Sequence, residues 1–209
     1  MSENASNAEK PLSVYRLMPR MTAVRNLQYD RSLVGLIRWQ INGSVPADAP
    51  TSISGEWIGN PRERASEFPS GTPGAPALSR RVADQWRDEL LRAGRLLPVD
   101  IVSADPKASD PGEYVLYLVE SVVDCVDLRR SSKPKKTTGE FKQAVFLPDA
   151  VPRDLPAFRL PQFPGGVHWN GWAVDRLTEL LGDRASDVEA RLVWSEDPAL
   201  TPHPDPWGF

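Results

Sequence analysis

The chain predicts an α+β fold: a mainly antiparallel sheet with two principal helices and long proline-rich loops. Three observations lead there. Strand-like runs outnumber helical ones and do not alternate regularly with them, which argues against a doubly wound parallel sheet. One segment, Ser79 to Ala93, carries a clear 3.6-residue apolar period. And 21 prolines crowd into a few stretches, chiefly Val45 to Pro76, Pro148 to Pro164 and the tail from Pro198. Proline fixes φ and donates no backbone hydrogen bond, so those stretches suit neither central strands nor helix interiors.

The elements follow in order. Val14 to Met18 reads as a short first strand. In Leu33 to Ile41, Ile37, Trp39 and Ile41 alternate with Arg38 and Gln40, the pattern of a half-buried strand, and Asn42-Gly43 signals a turn. Pro61 to Pro76 is a connector. Val82, Trp86, Leu90 and Ala93 then fall on one helical face, with Ser79 able to cap the start and Gly94 able to turn left-handed at the end. Tyr114 to Leu128 reads as a long strand and Phe141 to Leu147 as a second. Between them Arg129 to Lys136 carries five positive charges, the tip of an antiparallel hairpin. That tip is either a solvated loop or an anion-contacting surface. Ala157 to Leu160 and Val167 to Trp169 are short extended segments, and Pro164-Gly165-Gly166 between them reads as a turn. A second helix is expected over Trp172 to Leu181, capped by Asn170 and stopped by Gly182, with Ala173, Leu177, Leu180 and Leu181 on its apolar side. Val188, Ala190, Leu192 and Trp194 alternate with more polar neighbours, a closing strand.

Length suits one domain. Residues 1–10 read as a polar, frayed tail, 11–197 as a single α+β domain, and 198–209 as a proline-rich tail that need not be ordered. The net charge of −3 is too small to imply nucleic-acid partners. No run approaches the ~20 apolar residues of a membrane span, and the N-terminus lacks a secretory apolar core. The single cysteine, Cys125, cannot form an internal disulfide. The expected location is the cytoplasm, and no cofactor is expected.

Catalytic residue sets are hard to assemble. There is no P-loop, no GxGxxG and no Cys-x-x-Cys pair. Of the two histidines, His168 ends an extended segment and His203 sits between prolines in the tail, a poor pair for a metal. Cys125 lies among valines, which raises a thiol pKa and weakens it as a nucleophile. Asp124 and Asp127 would point to opposite faces of an unbroken strand. A hydrolase built from Asp124, Asp127 and His168 is therefore the weakest reading. Candidate partner-binding residues are the tryptophans beside irregular segments, Trp57 and Trp172, and the acidic helix face of Asp175, Glu179 and Asp183. Each also has a plainer reading, as packing under a loop or as a solvated face.

Several segments together resemble a known family. In order they are the helix from Ser79 ending in Leu90-Leu91, then Leu97-Pro98-Val99-Asp100, then Gly112-Glu113-Tyr114-Val115-Leu116 running on to Val126-Asp127, and an isolated Phe158-Arg159-Leu160. An aromatic-containing segment, a helix and a closing strand follow. This series resembles the immunity domain named after a myxobacterial protein and found in bacterial polymorphic-toxin systems. The resemblance covers about the C-terminal two-thirds. It implies a non-enzymatic cytoplasmic antitoxin that binds and occludes a cognate protein toxin, encoded by an adjacent gene, in interbacterial competition. The alternative is a non-enzymatic binding or scaffold protein of a phage or secretion system.

Overall fold

The computed structural model describes residues 10–29, 35, 50–69, 74–102 and 113–208. The strand expected at 33–41 (Gly35 aside), the turn at Asn42-Gly43, and residues 1–9 of the tail lie outside the described residues. The α+β class holds, but there are two sheets where one was expected.

Nine strands are present among the described residues: β1 (Ser13–Pro19), β2 (Asn26–Tyr29), β3 (Ile53–Ile58), β4 (Ala77–Ser79), β5 (Gly94–Ile101), β6 (Tyr114–Val119), β7 (Ala157–Leu160), β8 (Phe163–Asn170) and β9 (Val188–Ser195). The α-helices whose ranges lie within the described residues are α1 (Arg80–Gln85), α2 (Arg87–Ala93) and α3 (Gly171–Leu181). A four-stranded antiparallel sheet runs β7-β8-β1-β9. A five-stranded sheet runs β2-β3-β5-β6-β4 and is mixed, because β3 and β5 are parallel. Pro98 is tolerated inside β5 because pairing with β3 begins only at Val99, so at Pro98 only β6 is alongside.

Strand β6 shows why an unbroken apolar run can be a strand. Val115, Tyr117 and Val119 face the central core, and Tyr114, Leu116 and Leu118 face a second cluster on the other side of the sheet. All six are buried, so neither face reads as polar. The central core lies between the two sheets and includes Val82, Trp86, Leu90 and Ala93, the helical face predicted from spacing. A third cluster covers the outer face of the four-stranded sheet. There Val14, Phe158, Leu160 and Phe163 meet Cys125, Val126, Phe141, Phe146 and Trp207 from the irregular segments.

Several expectations need correcting. The helix over 79–93 is two short helices broken at Trp86. Ser79 does cap α1, accepting from the Val82 N–H at 3.4 Å. Gly94 is not left-handed. Its φ of 177° is extended and it opens β5. It must be glycine for another reason: a Cβ there would lie 1.9 Å from the Leu118 carbonyl oxygen of β6. The strand expected at 114–128 ends at Val119. Beyond it, and over 141–147, only isolated bridges form, Val122 to Arg159 and Val126 to Phe146. Apolar residues there bury against the sheet without joining a ladder. The turn expected at Pro164-Gly165-Gly166 falls instead at Pro161-Gln162, and those three residues are extended within β8. Asn170 precedes α3 but makes no cap bond. Its amide donates to the Pro152 and Leu155 carbonyls at 2.6 Å each. In β9 the alternation breaks at a bulge. Val14 pairs with Trp194 and Tyr15 with Leu192, so the skipped Val193 is the buried residue.

The segment from Pro198, whose composition demands no order, is strapped across the four-stranded sheet. The His203 N–H donates to the Leu192 carbonyl at 2.8 Å, and Arg16 places its guanidinium 4.8 Å over the Trp207 ring. Trp207 is buried against Phe163, 4.6 Å away.

A buried ion pair holds the loop over 59–69 to the turn after α3. Asp187 is fully buried and receives Arg64 through both carboxylate oxygens and the Glu67 N–H at 2.7 Å. Burial pushes its pKa up, but the hydrogen bonds from Arg64, Glu67 and Ser66 outweigh this and hold it below the usual carboxylate value. The stability this adds is complete above the unfolded pKa of ~3.9 and is lost as pH falls through the lower folded value. Asp187→Asn is expected to cost about 3 kcal/mol at neutral pH. Urea denaturation should show the gap to wild type narrowing as pH drops below ~3.9. A pH-independent gap would refute the ionic account.

The two helix-end glycines give a second test. Gly182 ends α3 at φ 54° with nothing within 4 Å of the place a methyl group would take, so Gly182→Ala costs about 2 kcal/mol of backbone strain alone. Gly94→Ala meets the β6 backbone and should cost about 3 kcal/mol or more. Thermal unfolding that ranks them the other way would contradict the close approach of β5 and β6.

Candidate functional site

The sequence candidates for chemistry fall into separate structural jobs. His168, on β8, is 1% exposed and lies in an aromatic cage. Phe158 stacks on it at 5.7 Å, while Phe146, Phe163 and Trp207 meet it edge-on at 5.9, 6.2 and 5.0 Å. Burial, with Arg16 and Arg159 nearby, pushes its pKa down to about 3, so the imidazole is neutral at neutral pH. Asp124 is exposed and accepts from the Gln162 amide at 2.9 Å. The Asp127 carboxylate caps the turn after it, accepting from the N–H groups of Arg129 at 3.0 Å and Arg130 at 3.2 Å. Cys125 is buried, and burial, with Asp124 adding to it, pushes its thiol up to about 12. The fold thus encloses His168 and leaves Asp124 on the surface. It does not gather the hydrolase trio into one reacting centre. Among the described residues no group of three His, Cys, Asp or Glu side chains is placed to hold a metal, and no helix is long and apolar enough to cross a membrane.

The candidate binding residues separate likewise. Trp57, on β3, is half-buried: its ring meets Tyr114 edge-on at 5.2 Å and lies under the Arg25 guanidinium at 5.0 Å. Much of it is thus packing on the five-stranded sheet. Trp172 opens α3, half-buried, and its indole donates to the Arg153 carbonyl at 3.0 Å. It borders a small hollow of about 110 Å³ with Tyr15 and Asp175. Asp175, Glu179 and Asp183 are exposed, with Lys10 3.3 Å from Asp175 and Arg176 3.4 Å from Glu179. Trp172 and the acidic residues therefore belong to one end of the molecule near α3. Trp57 belongs to the other sheet.

A feature not visible in the sequence is a cleft of about 440 Å³ beside the strap. Phe141 and Ala144 line one side, Val193 of β9 another, and Pro202, Pro204 and Pro206 the third. Its parts come from three distant stretches, so no local motif marks it. The excursion over 127–147 is pinned by sparse antiparallel bonds: Asp127 N–H to Val145 O at 2.8 Å, Ser132 N–H to Gln143 O at 2.9 Å, and Lys135 N–H to Glu140 O at 2.8 Å. Its basic tip is solvent-facing, and Lys135 also pairs with Glu140 at 2.6 Å.

Arg159 is the most deeply committed cation. It is fully buried on β7 and donates to the carbonyls of Pro164 and Gly74. Its backbone joins the segment after β6: Arg159 N–H to Ser121 O at 2.8 Å, and Val123 N–H to Arg159 O at 2.9 Å. The isolated Phe158-Arg159-Leu160 is thus stitched directly to the 114–127 stretch.

The neutral state of His168 yields a measurable slope. The unfolded chain takes up a proton near pH ~6.5, while the folded imidazole resists until about 3. Stability is therefore lost as pH falls across that window. His168→Phe keeps an aromatic ring in the cage and should flatten that part of the stability–pH curve. An unchanged slope would show that His168 is not buried neutral.

No family model matches this chain, and no curated protein matches it.

Proposed function

We propose that this chain is an immunity protein that binds a cognate bacterial toxin in the cytoplasm and blocks it by occlusion. The observation that carries the reading is the ordered resemblance described above, together with where its parts lie. The helix pair, β5, β6 and the Phe158-Arg159-Leu160 strand are neighbours in space, joined through Arg159 and Ser121. Segments that share one scaffold are what a domain resemblance requires, whereas chance matches need not touch. Support also comes from the candidate catalytic groups, each of which has an internal structural role.

Neutralisation needs a tight complex, and nanomolar binding corresponds to about −12 kcal/mol. An interface near ~1,600 Å² with a few buried anchors supplies that. The scaffold segments are largely buried, so contact falls to the exposed loops and faces around them. The partner is a protein toxin encoded beside this gene.

Co-expression tests it. The neighbouring gene's product should arrest growth alone, and this chain should restore growth and co-purify with it at about nanomolar affinity. A harmless product, or a toxic one that this chain neither binds nor suppresses, would end the proposal.

A further inference from the structure

The cleft beside the C-terminal strap has a chemistry that specifies an occupant. Six of its ten lining residues are apolar, and three of those are prolines; Ser132, Lys142, Gln143 and His203 supply the polar part. Prolines have fixed φ and little freedom to lose, so this wall is preformed and binding carries little ordering cost there. A volume of about 440 Å³ suits a few side chains of a partner rather than a whole element.

The rim is positive. Between Arg129 and Lys142 the chain carries six cations and one acid, Glu140, although the whole chain has net charge −3. Glu140 is matched by Lys135, leaving five further cations in that segment. Lys142 lines the cleft and is exposed, and Lys133 follows the cleft residue Ser132. Ser132 and Gln143 are occupied with each other, at 3.0 and 3.2 Å. On the strap, His203 Nδ1 accepts from the Asp205 N–H at 3.1 Å, and the Asp205 carboxylate accepts from the Gly208 N–H at 3.0 Å. Asp205 is exposed and keeps its negative charge, so the rim sets two acids, Glu140 and Asp205, against the six cations of 129–142 and is cationic on balance.

We propose that this cleft docks an acidic segment of a partner polypeptide, seating an apolar side chain between Phe141 and the strap prolines while its carboxylates meet Lys142 and Lys133. This rests on, and deepens, the immunity reading: the segment belongs to the toxin. A nucleic acid fits less well, because the basic run 129–136 has no interleaved aromatics and the one aromatic of the rim segment, Phe141, is buried.

The full chain can be titrated by fluorescence anisotropy at ~50 mM salt with three labelled hexapeptides: Glu-Glu-Leu-Phe-Glu-Glu, Glu-Glu-Gly-Ser-Glu-Glu and Lys-Lys-Leu-Phe-Lys-Lys. The first should bind at least about tenfold tighter than the others. The exposed pair Lys133→Glu and Lys142→Glu should weaken it about tenfold, while Asp175→Lys with Glu179→Lys on α3 should not. Equal binding of the anchorless acidic peptide, equal binding of a single-stranded DNA 12-mer, or no effect of the lysine reversals would each overturn the cleft. The two proposals fail separately. Peptide binding with a harmless neighbouring gene product sinks the immunity reading alone. Growth rescue that survives the lysine reversals, without peptide binding, sinks the cleft alone.

Discussion

Trp169 is the contact on which both sheets depend. It belongs to β8 of the four-stranded sheet, yet its ring stacks on Trp86 at the α1–α2 break, 5.8 Å away, and tilts against Tyr117 of β6 at 5.7 Å. The Tyr117 hydroxyl in turn donates to the Leu90 carbonyl of α2 at 3.0 Å. One aromatic group thereby ties together a helix pair and two sheets that share no strand. Large aromatic surfaces dominate core energetics, and burying three of them at one junction fixes the spacing of the layers. The break between α1 and α2 falls at the residue that makes the stack, so the helix pair is shaped to its contact with β8.

Polar groups set the remaining geometry. Arg159 and Asp187 are both fully buried, and each is held differently. Asp187 has a charged partner in Arg64, whereas Arg159 donates to backbone carbonyls of Gly74 and Pro164. Burial lowers the Arg159 pKa to about 10, still high enough to keep it charged. A cation held this way ties the Gly74 carbonyl, which lies outside any strand, to the Pro164 carbonyl of β8, and so fixes a segment that has no ladder of its own at that point. The proline-rich stretches do contribute two paired strands, β3 and β7, against the expectation that they suit no central strand, but around these strands their backbone has no ladder to hold it.

Sequence patterning exposed the frame better than the surface. The face of Val82, Trp86, Leu90 and Ala93 was legible because a helix repeats its environment every turn. Strand β6 was legible as apolar but too long, since hydrophobicity records burial and not pairing: Val126 and Phe146 are buried with one bridge between them. The strap was illegible because proline forbids a ladder without forbidding packing, and Trp207 packs. A glycine at a helix end suggests a conformational device, but the role of Gly94 is steric, a distinction only the neighbouring Leu118 carbonyl reveals. The candidate binding surface was the least visible part. The Trp57 ring is engaged by Tyr114 and Arg25, and the cleft exists only where residues near 141, 193 and 204 converge.

The position of β1 has a consequence for how the molecule comes into being. It is an inner strand, yet its partners lie far along the chain: Val14 pairs with Asn170 on one side and Trp194 on the other. At synthesis rates of about 5–20 residues per second, β1 waits roughly 8–30 s for β8 to emerge. Contacts of such sequence separation also close slowly once both halves are present. During that interval Val14, Leu17 and Met18 of β1, all buried in the finished fold, have no strand to pair with. The yield of folded chain is thus governed by assembly time as well as by final stability.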